Sequence, residues 1–155
     1  MLKQLSIFAL AGSLATTVTA VGNAGVVNNC NHEVSLWSVG SSISDAHVLA
    51  ANGGKYAEKY TRDPKTGGRA LKITKERDGL YTGKPQTNFA YTLDPGRIWY
   101  DLSDVFGDPF AGHKLAVVPS NSDCRSIVWD NGTPPAGSQT RDCDSESDVT
   151  LTLCA

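Results

Sequence analysis

The stretch FAYTLDPGRIWYDLSDVFGDPF, Phe89 to Phe110, decides the fold of this chain. Two runs rich in β-branched and aromatic residues, Asn88–Leu93 and Arg97–Leu102, flank Asp94-Pro95-Gly96. Proline presets φ and glycine accepts φ > 0, so the sequence predicts a type II turn closing a hairpin. Strand alternation then puts Ile98, Tyr100 and Leu102 on one face, and Trp99 and Asp101 on the other. Three carboxylates crowd the second half: Asp101, Asp104 and Asp108. Tyr91, Trp99, Tyr100, Phe106 and Phe110 interleave with them. Carboxylates beside rings on rigid strands are what a sugar-binding cleft needs. The edge of an ordinary β-sandwich has the same composition.

Outward from the hairpin, the chain reads as further short strands. Ala24–Asn28 comes first, then Glu33–Val39, where Val34 and Leu36 alternate with Ser35 and Trp37. Asn52-Gly53-Gly54 and Asp63–Gly68 are turn clusters. Tyr56–Tyr60, Ala70–Thr74, Lys114–Val118 and Ser126–Trp129 are strand-like. In the last run Val149, Leu151 and Leu153 alternate with Thr150 and Thr152. Gly40–His47 reads as loop and Lys75–Gln86 as a charged connection. No segment sustains a helical period. Short strands at close spacing with Gly/Pro turns imply an all-β sandwich.

The chain has 155 residues, 40% hydrophobic and 19% charged, which fits one globular domain with a core. Met1–Ala20 carries Lys3, an apolar run over Leu5–Ala15 and a small-residue Val18-Thr19-Ala20 end, the pattern of a secretory signal peptide. A second candidate cut follows Ala24. The apolar run is shorter than the ~20 residues that span a bilayer. The expected mature domain is 21–155, secreted and monomeric. Without Lys3, 13 basic residues face 16 acidic ones, which favours neither nucleic acid nor anionic membrane. Cys30, Cys124, Cys143 and Cys154 form an even set in a secreted chain, which implies two disulfides and leaves three pairings open. With no C-x-x-C, their spacing matches no zinc module, so no metal or cofactor is expected. Asn131-Gly132-Thr133 is a glycosylation sequon, with Pro134 directly after it.

Four stretches resemble the thaumatin-like superfamily: GVVNNCNHEVSLWSV (25–39), GKPQTNFAYTL (83–93), WYDLSDVFGDPF (99–110) and CDSESDVTLTLCA (143–155). In their shared order they are similar to a small secreted fungal branch, the yeast-phase-specific or antigenic thaumatin-like proteins. The resemblance implies an antiparallel β-sandwich without the family's disulfide-rich second domain, since only Arg125–Asp142 occupies that place. It also implies the pairs Cys30–Cys154 and Cys124–Cys143. In the chain-entropy model these loops contribute up to roughly 5 and about 3 kcal/mol.

The resemblance implies a set of cleft positions as well. Lys84 stands where the family has arginine, and loses the bidentate fork. Tyr91 stands for its glutamate and Phe106 for one aspartate, while Asp101 is retained. Some thaumatin-like proteins cut β-1,3-glucans. Glycoside hydrolysis generally needs two carboxyls held apart across the bond. Only Asp101 survives at the mapped positions, so a non-enzymatic protein is expected. Asp104 shares a face with Asp101 only if the run is a helical turn. The plain alternative is that Asp101 and Ser103 satisfy turn amides.

Binding asks less. Lys84, Asp101, Asp104 and Asp108 would bond hydroxyls of a cell-wall β-1,3-glucan, with Tyr91 and Trp99 stacking. Trp37 and Trp129 are expected in the core. His32, His47 and His113 are scattered, and no G-x-S-x-G is present. A weak endo-β-1,3-glucanase remains the enzymatic alternative. An inhibitor, effector or antigen acting on a host or competitor protein is implied by analogy alone.

Overall fold

The computed structural model describes residues 20–155, and the signal segment falls outside them but for its last residue. The elements are β1 (Asn23–Asn28), β2 (Val34–Val39), β3 (His47–Leu49), β4 (Gly54–Lys59), β5 (Gly68–Thr74) and α1 (Gly79–Thr82). They continue with β6 (Gln86–Asp94), β7 (Arg97–Val105), β8 (Leu115–Pro119), β9 (Ile127–Trp129), β10 (Arg141–Asp144) and β11 (Val149–Leu153). They form two sheets, one of five strands ordered β4-β1-β11-β8-β9 and one of six ordered β10-β7-β6-β5-β2-β3.

The alternating positions dictate the packing. Leu36, Leu71, Ile73, Phe89 and Leu102 project from the six-stranded sheet, and Val26, Leu115, Val117 and Leu151 from the five-stranded one. All are at most 1% exposed. Each buried side chain of this size stabilises by roughly 1.5–3 kcal/mol relative to exposure. The predicted hairpin forms as β6 and β7, paired from Gln86↔Val105 to Asp94↔Arg97. Gly96, with φ 73°, takes the turn position that a side chain would strain.

The chain ends meet. β1 runs parallel to β11, with Ala24 opposite Val149 and Asn28 opposite Leu153. Cys30–Cys154 closes this seam with a Cα–Cα distance of 5.1 Å. Cys124–Cys143 ties the approach to β9 to β10 at 5.5 Å. These are the pairs that the resemblance implies.

Three elements differ from the sequence expectation. β3 falls in and beyond the Gly40–His47 loop, β10 falls in a polar segment, and α1 interrupts the Lys75–Gln86 connection. The last changes the place of a tryptophan. Trp37 is 1% exposed, yet it projects from the outer face of the six-stranded sheet, opposite Lys72 on β5. Tyr81 of α1 covers it edge-on, with ring centroids 6.1 Å apart. Gly79 fits closely over Thr74, where a Cβ would collide with the threonine side chain. Trp37 is thus buried beneath α1 rather than between the sheets. Trp129 does belong to the core between the sheets.

Candidate functional site

β7 is a strand along its whole length, and that sorts the proposed site residues. Positions of odd number face outward and positions of even number face the core. Trp99 and Asp101 therefore share the outer face, and Trp99 is 42% exposed. The register fixes what lies beside them. Trp99 is opposite Thr92, which is opposite Gly68. Asp101 is opposite Ala90, then Ala70, then Val39 on β2. Small residues thus form a floor across four strands, about 14 Å at ~4.8 Å per strand.

Three adjoining hollows follow this floor. One is lined by Ala90, Thr92, Trp99, Asp101 and Thr140. A second, about 330 Å³, continues over Ala70 and Gly68 to Val39 and Gly40. A third, about 400 Å³, runs between Asp101–Asp104 and the loop Pro134–Thr140. The two larger volumes reach the lower range of small-ligand clefts. All three lie open to solvent, which suits a chain lying along the surface rather than an enclosed molecule.

The other expected site residues go elsewhere. Tyr91 is 2% exposed and opposite Tyr100 on the core side. Its hydroxyl donates to Glu58 Oε1 at 2.5 Å, and Tyr56 donates to Oε2 of the same carboxylate at 2.7 Å. Arg69 lies 3.6 Å from Glu58. Burial, then the bond to this carboxylate, pushes the Tyr91 phenol well above its ordinary range. Tyr91 borders the trough only through its main chain and offers no ring to a ligand there. The expectation that it stacks on a ligand is corrected accordingly. Its register was already set by the two-residue turn, which pairs Asp94 with Arg97 and hence Tyr91 with Tyr100.

Asp104 also faces inward, opposite Thr87, whose hydroxyl donates to Oδ1 at 2.6 Å. Its Oδ2 is buried without a hydrogen-bond partner. Burial raises its pKa from 3.8 to about 7 against the lowering effect of Thr87, and the nearby Asp108 raises it further. Asp108 is exposed in the turn after β7, near Asp104 rather than Trp99. Lys84 is exposed just beyond α1, its N–H bonded to Gly79 O at 3.1 Å, and lines none of the three hollows. Asp101 and Ser103 sit in mid-strand and cap no turn. The only side-chain bond of Asp101 among the described residues is a long one from Thr140 Oγ1, at 3.4 Å. Sequence reasoning missed Thr140, Ala90 and Thr92. Thr140 reaches the site through long-range folding, and small floor residues carry no chemical signature.

The only grouping of potential metal ligands among the described residues is Cys124, Cys143 and Asp144. Its two sulfurs are joined as a disulfide, and Asp144 accepts from Asn121 and Ser147.

Two packed sheets, a seam tied at the chain ends and an outward trough on the larger sheet define a thaumatin-like sandwich without the disulfide-rich second domain. The structure matches the protein elicitor MoHrip2 from Magnaporthe oryzae with a TM-score of 0.71 at 24% identity, covering 86% of this chain and 99% of that one. It matches the thaumatin-like xylanase inhibitor TLXI with a TM-score of 0.59 at 10% identity, covering 85% and 99%. At these identities the likeness establishes the fold. The chain belongs to the Bys1 family, described as Blastomyces yeast-phase-specific protein, whose model matches residues 11–155. Among its relatives is the antigenic thaumatin-like protein of Arthroderma benhamiae, 30% identical over 144 residues, covering 87% of this chain and 72% of that protein. The secreted thaumatin-like protein calA of Emericella nidulans is 27% identical over 143 residues, covering 85% and 81%.

Proposed function

We propose that this chain is a secreted, non-catalytic binding protein that lays a neutral β-1,3-glucan chain of the fungal cell wall along the outer trough. One observation carries the reading. Trp99 stands exposed beside Asp101, next to a floor of Ala90, Ala70 and Gly68 whose side chains are small or absent. A ring stacking on the indole contributes about 0.5–1.5 kcal/mol beyond its area. Asp101, Thr92 and Thr140 supply hydroxyl partners.

The carboxyl geometry supports binding over hydrolysis. Asp101 and Asp104 both border the third hollow, but three steps along the strand separate their Cα atoms by ~10 Å and their side chains diverge to opposite faces. Glycosidase carboxyls lie roughly 5–9.5 Å apart across one bond. Two relatives are named antigenic and secreted, and the two disulfides fit an oxidising compartment, which supports an extracellular site of action.

The test is co-sedimentation with insoluble β-1,3-glucan and with chitin. The folded wild type is expected in the glucan pellet, with Trp99→Ala binding about 5–10-fold more weakly. Wild type left wholly in the supernatant, under conditions that pellet a known glucan binder, refutes the reading. Sugar release from laminarin that is lost in Asp101→Ala would establish an enzyme instead. The structural neighbours, an elicitor and a xylanase inhibitor by name, raise a second reading, a protein partner. The open edge of β7 favours it.

A further inference from the structure

We propose that the open edge of β7 takes an extended, cationic peptide segment of a partner protein as an added strand. β7 spans Arg97–Val105, but β10 pairs only with Arg97 to Tyr100. From Asp101 to Val105 the strand is laddered to β6 on one side. On the other side it has no main-chain partner among the described residues. Strand edges with unpaired N–H and C=O groups are templates for strand addition.

Thr140 still faces Asp101, its Oγ1 3.4 Å from Oδ1, and beyond it the loop leaves room for the added strand along Leu102–Val105. Pro134, Pro135, Gly137, Ser138 and Gln139 line the far side of the third hollow, about 400 Å³, without main-chain bonds to β7. The two prolines have no N–H to offer. Gln139 turns away, its Oε1 accepting from the Trp129 indole at 3.1 Å.

Charge selects the occupant. Asp101 flanks the edge on the outer face, Asp104 on the inner face, and Asp108 lies beyond the strand end. None of the three takes part in an ion pair among the described residues. Asp104 Oδ2 is buried without a donor on the inner face of this strand. Lys or Arg at alternate peptide positions lines a single face, and on the outer face that row would meet Asp101. A second copy of this chain fits poorly, because it would bring only further acidic residues, and no cation, to the 101–108 edge. An inward-pointing charge on an edge strand discourages self-pairing, and the same charge admits a cationic segment. The proposal does not rest on glucan binding, and failure of the glucan assay leaves it standing.

The test titrates the intact, disulfide-bonded protein with capped peptides of roughly eight residues, the length of a strand. One alternates Lys with Val and Thr, and one has Glu in place of Lys. Two further Lys peptides are N-methylated on alternate amides, one set for each edge of the peptide. Amide hydrogen exchange and NMR shifts report the site. The Lys peptide is expected to bind with a Kd below about 1 mM and to slow exchange of alternate amides within Asp101–Val105 about tenfold. The Glu peptide should bind at least about tenfold more weakly, and Asp101→Arg should weaken the Lys peptide by a similar factor. One N-methylated set should abolish binding and the other should not. These arms use the wild type, so they stand even if Asp101→Arg misfolds. Equal binding of both N-methylated sets, protection elsewhere on the molecule, no binding at millimolar peptide, or a dimer through this edge would each overturn the proposal.

Discussion

Replacing Asp104 by asparagine should make the protein more stable at mildly alkaline pH, although it removes a hydrogen-bonded carboxylate. In the folded state, burial lifts the Asp104 pKa from 3.8 to about 7. A carboxyl with a raised folded pKa keeps its proton in the native state after the unfolded chain has lost it. The native state then binds more protons, and stability falls as pH rises from about 4 to about 7. A shift of about three units corresponds to an upper limit of roughly 4 kcal/mol. The carboxyl is only partly buried, and solvent screening reduces this to about 1–2 kcal/mol.

Asparagine removes the penalty and keeps the geometry. Its Oδ1 still accepts from Thr87, and its Nδ2 offers the Asp108 carboxylate a donor. Urea unfolding followed by tryptophan fluorescence, with disulfides intact, should give nearly equal stabilities for wild type and Asp104→Asn near pH 4. Near pH 8 the variant should lead by about 1–2 kcal/mol, a few degrees in Tm. An Asp104→Asn protein that is less stable than wild type near pH 8, or that shows the same fall with pH, would refute the reasoning.

Restoring the family's glutamate with Tyr91→Glu should not rebuild an acidic cleft. It would place a second carboxylate beside the half-buried Glu58 and cost about 2–4 kcal/mol in denaturant unfolding. Tyr91→Phe, which removes only the donor to Glu58, should cost about 1–3 kcal/mol and leave glucan co-sedimentation unchanged. Removing Cys30–Cys154 by double alanine substitution should cost about 4–5 kcal/mol, against about 3 for Cys124–Cys143, by the same measurement. N-terminal sequencing of the secreted protein should begin at Val21. A cut after Ala24 would remove Asn23, which donates twice to Asp148 Oδ1, and Gly22, which is bonded to Ser145 and Tyr60.

The sandwich is legible in the sequence wherever one local rule is enough. Pro95-Gly96 fixes the β6–β7 turn, and Val149–Leu153 alternates cleanly because one of its faces is buried. β10 is not legible. Arg141-Asp142-Cys143-Asp144 contains one apolar residue, and the strand exists because Cys143 is tied to Cys124 and paired with Ile98. α1 is hidden for a similar reason: four residues carry no helical period, and its purpose is to cover Trp37.

The candidate site is half legible. Trp99 and Asp101 share a face by alternation alone. Family correspondence points Tyr91 toward the cleft and the crowding of carboxylates points Asp104 there, while strand parity sends both inward. Where the two disagree, the pleat decides, because a strand cannot rotate one side chain to the other face without shifting register.

The parallel seam between β1 and β11 governs the birth of the protein. Synthesis delivers β1 and Cys30 first, and their partners β11 and Cys154 last, 124 residues later along the chain. The five-stranded sheet has β11 at its centre, so it cannot assemble on the emerging chain. Cys124 and Cys143 are separated by 19 residues, so closing their loop costs less chain entropy than closing the 124-residue loop of Cys30 and Cys154. Closure of that short loop takes both alternative partners away from Cys30 and leaves Cys154 as its remaining mate. A chain that stops before Val149 therefore leaves β1 paired with β4 alone and β8 with β9 alone, two halves of a sheet without the strand that joins them.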